Sequence, residues 1–204
     1  MPTLTALLPQ RTNSPRVQVQ RVRWTVDEFH DLASLPIFEG REMILVDGEI
    51  LDLPPANHPH DMGIGSCQDA LELVFSKNSY WIRIQMALPV GPRTDTTPDV
   101  AVVEGPRLTH LSQPTTAILV VEISDTSFDY DTGDKADLYA AAGIVDYWVL
   151  DVNDRQLLLF RDPVADSTSV TGFRYASIQT FSPTATVSPL AAPHAIVRIS
   201  DLLP

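Results

Sequence analysis

Asp99 and Glu122 are the residues whose setting asks for a chemical explanation. Asp99 follows Pro98 at the start of the apolar run Val100-Ala-Val-Val103, so its carboxylate projects from the end of a buried strand. Glu122 interrupts Ile118-Leu-Val-Val-Glu-Ile123. An unpaired carboxylate in such a strand is costly to bury, and the residue needs a partner. Along a strand Glu122 shares a face with Val120 and Ser124, while Val121 and Ile123 face the other way. A second carboxylate from an adjacent strand, such as Asp99, would complete an oxygen-rich pocket suited to Mg²⁺ or Mn²⁺. Two plainer readings stand beside this one: Asp99 as a turn residue, and Glu122 as the acid of a buried salt bridge.

Lys135 lies one helical turn before Tyr139, so both belong to one face of the helix that follows the Glu122 strand. Its ammonium could stabilise a pentavalent phosphate or position an attacking water. Taken by itself, the residue reads first as a solvated cation pairing with Asp131. His58 and His60 sit close to the start of another helix, where an imidazole donates to a phosphate or simply solvates the loop. Their spacing is wrong for a helical zinc pair, and with one cysteine, Cys67, no tetrahedral Cys/His set forms. Neither a phosphate-cradling glycine loop nor a Gly-x-Ser-x-Gly elbow occurs, which argues against a phosphate-loop ATPase and an α/β hydrolase.

These residues must be held by elements that the sequence also announces. Thr25-Val-Asp-Glu28 is a capping box opening a short helix with Phe29, Leu32 and Ala33 on its apolar face. Met43–Val46 and Glu49–Leu53 are strands joined by Asp47-Gly48, the dipeptide suited to a type I′ turn, and Pro54 and Pro55 end the second strand. Apolar residues at Ile64, Cys67, Leu71, Val74 and Phe75 give a helix from about His60 to Lys77. Strands are expected at Tyr80–Val90, Val100–Glu104, Ala117–Ser124, Val145–Asp151 and Arg155–Arg161. A helix from an Asp131 N-cap to Ala142, stopped by Gly143, lies between the third and fourth of these. Beyond Arg161 the short β-prone pieces Phe173–Ile178 and Ala195–Ile199 read as peripheral strands among loops.

The chain has 204 residues, 44% hydrophobic and 20% charged, as in an ordinary globular α/β protein with one core. We expect a flexible leader over residues 1–20 and a single domain over 21–204. No apolar stretch approaches the length of a membrane span, and residues 1–20 lack the pattern of a secretory signal, so a soluble cytoplasmic protein is expected. The formal net charge of -12, with only 14 Lys and Arg, weighs against tight non-specific binding to nucleic acid, although a local basic groove or bound cations can offset it. Tyr147 and Trp148 lie in an apolar strand and read as core rather than as base-stacking platforms.

Taken together, Val46-Asp-Gly-Glu-Ile50, the His60 helix, Pro98-Asp-Val100, Val121-Glu-Ile-Ser124, Lys135 with Tyr139, and Ala142-Gly-Ile-Val-Asp-Tyr-Trp-Val-Leu-Asp151 resemble the Uma-two family, restriction-endonuclease-like proteins of the PD-(D/E)xK superfamily. The resemblance spans roughly Thr25 to Arg161. It implies a mixed β-sheet flanked by helices, with Asp99, Glu122 and the backbone carbonyl of Ile123 holding a divalent ion. It also implies that Lys135 is the superfamily's lysine displaced onto the next helix, since Ser124 occupies the common place two residues beyond the acid. His60, Tyr139 and Glu42 become auxiliary candidates, and a homodimer is expected by analogy. The resulting expectation is metal-dependent hydrolysis of phosphodiesters. Its rivals are a non-catalytic binding or assembly protein that keeps the fold, and a hydrolase of a small phosphorylated molecule.

Overall fold

The computed structural model describes residues 20–53 and 57–204. The expected leader, apart from Gln20, and the strand-ending role of Pro54 and Pro55 lie outside the described residues. The chain begins with α1 (Val26–Ala33), whose N-cap is Thr25 with the complete capping box to Glu28. The hairpin β1 (Glu42–Val46) and β2 (Glu49–Leu53) follows, turning at Asp47 (φ 44°) and Gly48 (φ 77°) as the dipeptide requires. Next come α2 (His58–Glu72), β3 (Tyr80–Ile84), β4 (Leu88–Gly91), β5 (Thr94–Thr96) and β6 (Val100–Glu104). The second half contains β7 (Leu119–Ser124), α3 (Phe128–Thr132), α4 (Asp134–Ala141), β8 (Asp146–Asp151), β9 (Gln156–Ala165), β10 (Phe173–Phe181), β11 (Thr186–Val187), β12 (Val197–Arg198) and α5 (Ile199–Leu202).

Six strands form the main sheet in the order β10-β9-β8-β7-β6-β3, with β7 and β8 parallel and the other neighbours antiparallel. A second, antiparallel sheet has the order β2-β1-β5-β4, and β11 pairs with β12. The two faces of the main sheet divide the core. Val121 and Ile123 join Val100, Val102, Trp148 and Leu150 under α2. Val120 turns the other way and packs with Ala101, Tyr147 and Val149 against Ala136, Tyr139 and Ala140 of α4. Each fully buried large side chain on these faces stabilises the fold by about 1.5–3 kcal/mol relative to exposure. Tyr147 and Trp148 are both fully buried, as read from the strand that carries them. Among the described residues no helix is long and apolar enough to cross a membrane.

Four expectations are corrected. The continuous strand expected over residues 80–90 is broken: β3 and β4 belong to different sheets, and between them Gln85 takes a left-handed conformation (φ 46°) while its amide donates to the Asp99 carbonyl at 3.1 Å. The single helix expected from Asp131 is two helices that break at Gly133, where a side chain would stand 2.7 Å from the Asp129 carbonyl oxygen. Asp131 is a buried member of α3 and caps nothing, because its carboxylate is taken by the Ser127 hydroxyl and Lys135. Finally, β10 is longer than Phe173–Ile178 and is a full strand of the main sheet, paired with β9 along most of its length. The first long helix also ends at Glu72 rather than near Lys77.

Candidate active site

β6 and β7 pair with Val100 opposite Val121, a register that continues outward to set Asp99 against Glu122. The contacts bear this out. The Asp99 amide donates to Glu122 Oε2 at 3.3 Å, and the Ile123 amide donates to Asp99 Oδ2 at 2.8 Å. Strand alternation thus turns both acids to one rim of the sheet while their neighbours fill the core. Asp99 is neither a free turn residue nor solvent-facing, being 8% exposed, and Glu122 is 1% exposed.

Two helices complete the site from opposite faces. On α4, Lys135 Nζ lies 2.9 Å from Glu122 Oε2 and 3.5 Å from Asp131 Oδ1, and one turn later the Tyr139 hydroxyl donates to Glu122 Oε1 at 2.8 Å. Lys135 is therefore buried against two acids, and the expectation of a solvated helix cation fails on that point, although the pairing with Asp131 is present. On α2, His60 Nε2 lies 3.1 Å from Asp99 Oδ2. Its approach depends on Gly63, where any β-carbon would meet Ile123 Cγ2 at 2.8 Å; the helix lies this close to β7 only without a side chain there.

The electrostatics follow from burial. Burial pushes the Glu122 carboxyl above the ordinary carboxylate range, with the Lys135 ammonium pulling the other way. Burial likewise disfavours the charge on Lys135, but Glu122, Asp131 and Asp99 outweigh it and hold the ammonium protonated. Burial would raise Asp99 too, yet His60, Lys135 and the Ile123 amide keep it below the usual value. The hydrogen bond to Asp99 raises His60 against the effect of its own burial. Burial, then the neighbouring Glu122, pushes Tyr139 well upward, so its hydroxyl remains a donor.

These side chains open onto a cleft of about 440 Å³ that also meets Arg41, Tyr130 and Asp125. Glu42 lines its mouth but is exposed and makes no side-chain hydrogen bond among the described residues, so the structure does not join it to the acids. Tyr130 escaped the sequence reading; its hydroxyl is buried without a partner and its ring faces Lys135 Nζ at 6.0 Å. Its i−5 spacing from Lys135 signals nothing, because the break at Gly133 sets the geometry. Among the described residues no three His, Cys, Asp or Glu side chains form a ready-made metal cage. The donor chemistry nevertheless suits a hard divalent cation: two carboxylates meet at one rim, and Asp99 Oδ1 accepts no hydrogen bond among the described residues while Oδ2 accepts two.

A mixed sheet flanked by helices, with acidic residues at the rim of its central strands, is the restriction-endonuclease-like architecture. Residues 26–198 match the Uma2 family, described as "Putative restriction endonuclease", and the chain belongs to that family. Among solved structures, "a putative nuclease belonging to DUF820" from Anabaena variabilis ATCC 29413 has the same fold, with a TM-score of 0.67 at 19% identity, covering 88% of this chain and 97% of that one. No curated protein matches the chain.

Proposed function

We propose that the protein is a divalent-metal-dependent nuclease that hydrolyses phosphodiester bonds, with Asp99, Glu122 and the Ile123 carbonyl as ligands of Mg²⁺ or Mn²⁺. The observation that carries this reading is the convergence of Asp99 and Glu122 on adjacent strands, with Lys135 Nζ 2.9 Å from Glu122 in the same cleft. A bound divalent ion supplies Lewis-acid polarisation of the phosphate and lowers the pKa of a water molecule. Asp99 and Glu122 provide the hard oxygen donors. Lys135, held protonated, offsets negative charge developing on the phosphate. Tyr139 fixes the rotamer of Glu122 through its hydroxyl, and His60 does the same for Asp99.

Calorimetric titration with Mn²⁺, together with cleavage assays on single-stranded DNA, duplex DNA and RNA, tests the reading. Asp99→Ala and Glu122→Ala each abolish metal binding and cleavage; a variant that keeps metal-dependent cleavage of all three substrates refutes the mechanism. A non-catalytic scaffold is the second reading, favoured by the Lys135–Glu122 ion pair, which satisfies the acid without a metal. It predicts no Mn²⁺ binding by the unmodified protein in the same titration.

A further inference from the structure

Away from the cleft, the edge strand β3 gathers cations in a chain whose net charge is -12. Arg83 is 2% exposed. Its Nη2 donates to the Ala87 carbonyl at 2.7 Å, but Nε and Nη1 have no hydrogen-bond partner among the described residues. None of the carboxylates described is within ion-pair distance of it; Asp95, engaged by His30 at 2.5 Å, acts on the guanidinium only through space. The Arg83 guanidinium lies 4.9 Å from the Trp81 ring centre, and Arg107 approaches the same ring at 6.0 Å. The His110 ring stands 5.5 Å from Trp81, and its Nε2 is also buried without a partner.

Arg83, His110 and Trp81 line a hollow of about 470 Å³ between β3 and the β6–β7 connection, with Ser112 and Gln113 on its loop side and no carboxylate in its described lining. Buried N–H groups without acceptors are unfavourable, and native proteins leave few of them. Arg83 and His110 both line this hollow, and with unpaired nitrogens buried in its wall, the His110 Nε2 on the Gly105 side, they suit it to a negatively charged ligand rather than an apolar one. The chain between β3 and β4 divides this hollow from the cleft: Gln85 lines the cleft, whereas Met86 and Ala87 line the hollow. A strand crossing that ridge would set one phosphate beside the acids and another beside Arg83.

We propose that this hollow is a phosphate-binding site, distinct from the Asp99–Glu122 cleft, in which Arg83 and His110 donate to the phosphate oxygens. The phosphate belongs either to the free anion or to a nucleic-acid backbone, and the chemistry of recognition is the same. The site stands whether or not the cleft is catalytic.

The test uses the full chain in EDTA, titrated with inorganic phosphate and followed through the Arg83 Nε–H and Trp81 indole resonances. Saturable shifts of both are expected. Arg83→Met and His110→Ala each weaken binding about tenfold or more, the loss of a charge-assisted hydrogen bond, while Glu122→Gln leaves binding intact. His110 is a half-buried residue on a largely exposed loop, so its variant decides the matter if Arg83→Met fails to fold. A short single-stranded oligonucleotide and its uncharged methylphosphonate counterpart serve as competitors. Competition by the natural strand alone assigns the site to the backbone, and failure of both to compete assigns it to free phosphate; either result supports the site. Absence of saturable shifts, binding unchanged in both the Arg83 and His110 variants, or binding lost in Glu122→Gln overturns it.

Discussion

Replacing Lys135 by Met tests the electrostatic account of the cleft most directly. The substitution keeps the bulk of the stem and removes the ammonium that lies 2.9 Å from Glu122 and 3.5 Å from Asp131. Glu122, 1% exposed, keeps only the Tyr139 hydroxyl and the Asp99 amide as donors. Breaking a buried pair in this way costs about 3–5 kcal/mol while the remaining charge persists. The carboxyl has an escape, which is to take up a proton. From an ordinary value of 4.5, protonation at pH 7 costs about 3 kcal/mol, at roughly 1.4 kcal/mol per pH unit. Because the parent's Glu122 is already raised by burial, about 3 kcal/mol is an upper bound on the stability lost at pH 7, or at most roughly 6–12 °C in Tm for a protein of this size.

The pH dependence gives the sign. Without the ammonium, burial raises Glu122 unopposed, and a carboxyl whose folded pKa lies above its unfolded value favours folding less as pH rises between the two. The parent's Glu122 is itself raised to about 8, so between about pH 4.5 and 8 the two proteins lose this contribution in parallel, and the gap should widen above about pH 8, where only the variant's carboxyl stays protonated. Urea unfolding of both proteins in EDTA across that range measures it, and Mn²⁺ in a parallel series should narrow the gap by placing a cation beside Glu122. A difference of less than about 0.5 kcal/mol at every pH, or one that grows toward acid, refutes the reasoning.

Two further outcomes follow from local geometry. Gly63→Ala places a methyl group 2.8 Å from Ile123 Cγ2 in a packed core, so it destabilises by about 1–3 kcal/mol and displaces His60 from Asp99; an unchanged urea midpoint contradicts the packing. In the capping box, Thr25 lowers the titration of Glu28 through its backbone amide and hydroxyl. Thr25→Ala should raise the Glu28 midpoint measured by NMR, and the parent's stabilisation, present above the ordinary carboxylate value, should fade as pH drops through the depressed one.

The legible parts of this fold were those where local chemistry and tertiary structure agree. Thr25 and Glu28 satisfy each other across one turn, Asp47-Gly48 suits its hairpin whatever lies around it, and Asp99 and Glu122 are out of place in apolar strands. The misread parts are those where a tertiary partner wins. Asp131 is a good N-cap by type, but Ser127 and Lys135 claim its carboxylate. Gln85 carries no turn signature, and its left-handed conformation is held by bonds on either side, from its own amide to Asp99 and from Arg83 to Ala87. β10 is the edge strand of the main sheet, as a peripheral strand should be, but its full length was hidden among the Pro, Thr and Ser beyond Arg161; Pro163 nonetheless sits in register opposite Tyr175, whose ring packs on Tyr147 and Phe160. Arg83 carries no signal in the sequence because a lone arginine in a short strand reads as solvent-facing, and its burial comes from partners distant in sequence or across a turn, the Ala87 carbonyl, Trp81 and the loop from His110 to Pro114.

The distribution of cations sets how this chain can meet a polyanion. Arg21, Arg23, Arg41, Arg93, Arg161 and Arg174 are committed to carboxylates, and Lys135 is buried in the cleft. Apart from the Arg161 pair with buried Asp146, these are largely exposed pairs that contribute only about 0–1 kcal/mol each to stability, but they leave their charge largely spent. Among the described residues Lys77, Arg155 and Arg198 also make no ion pair with an acidic side chain, but the cations gathered together without such partners are Arg83 and Arg107 at Trp81. A duplex that engages about two such groups releases few counterions, so log K against log salt should fall with a slope of roughly -2, where a protein making six to ten phosphate contacts gives about -5 to -9. Fluorescence anisotropy of a labelled duplex across a salt series measures the slope, in EDTA to keep added divalent charge out of the balance. Arg83→Met should bring it about one unit closer to zero. A slope steeper than about -5 would mean that a basic surface other than the Trp81 hollow carries the polyanion, and the charge argument for this protein would be wrong.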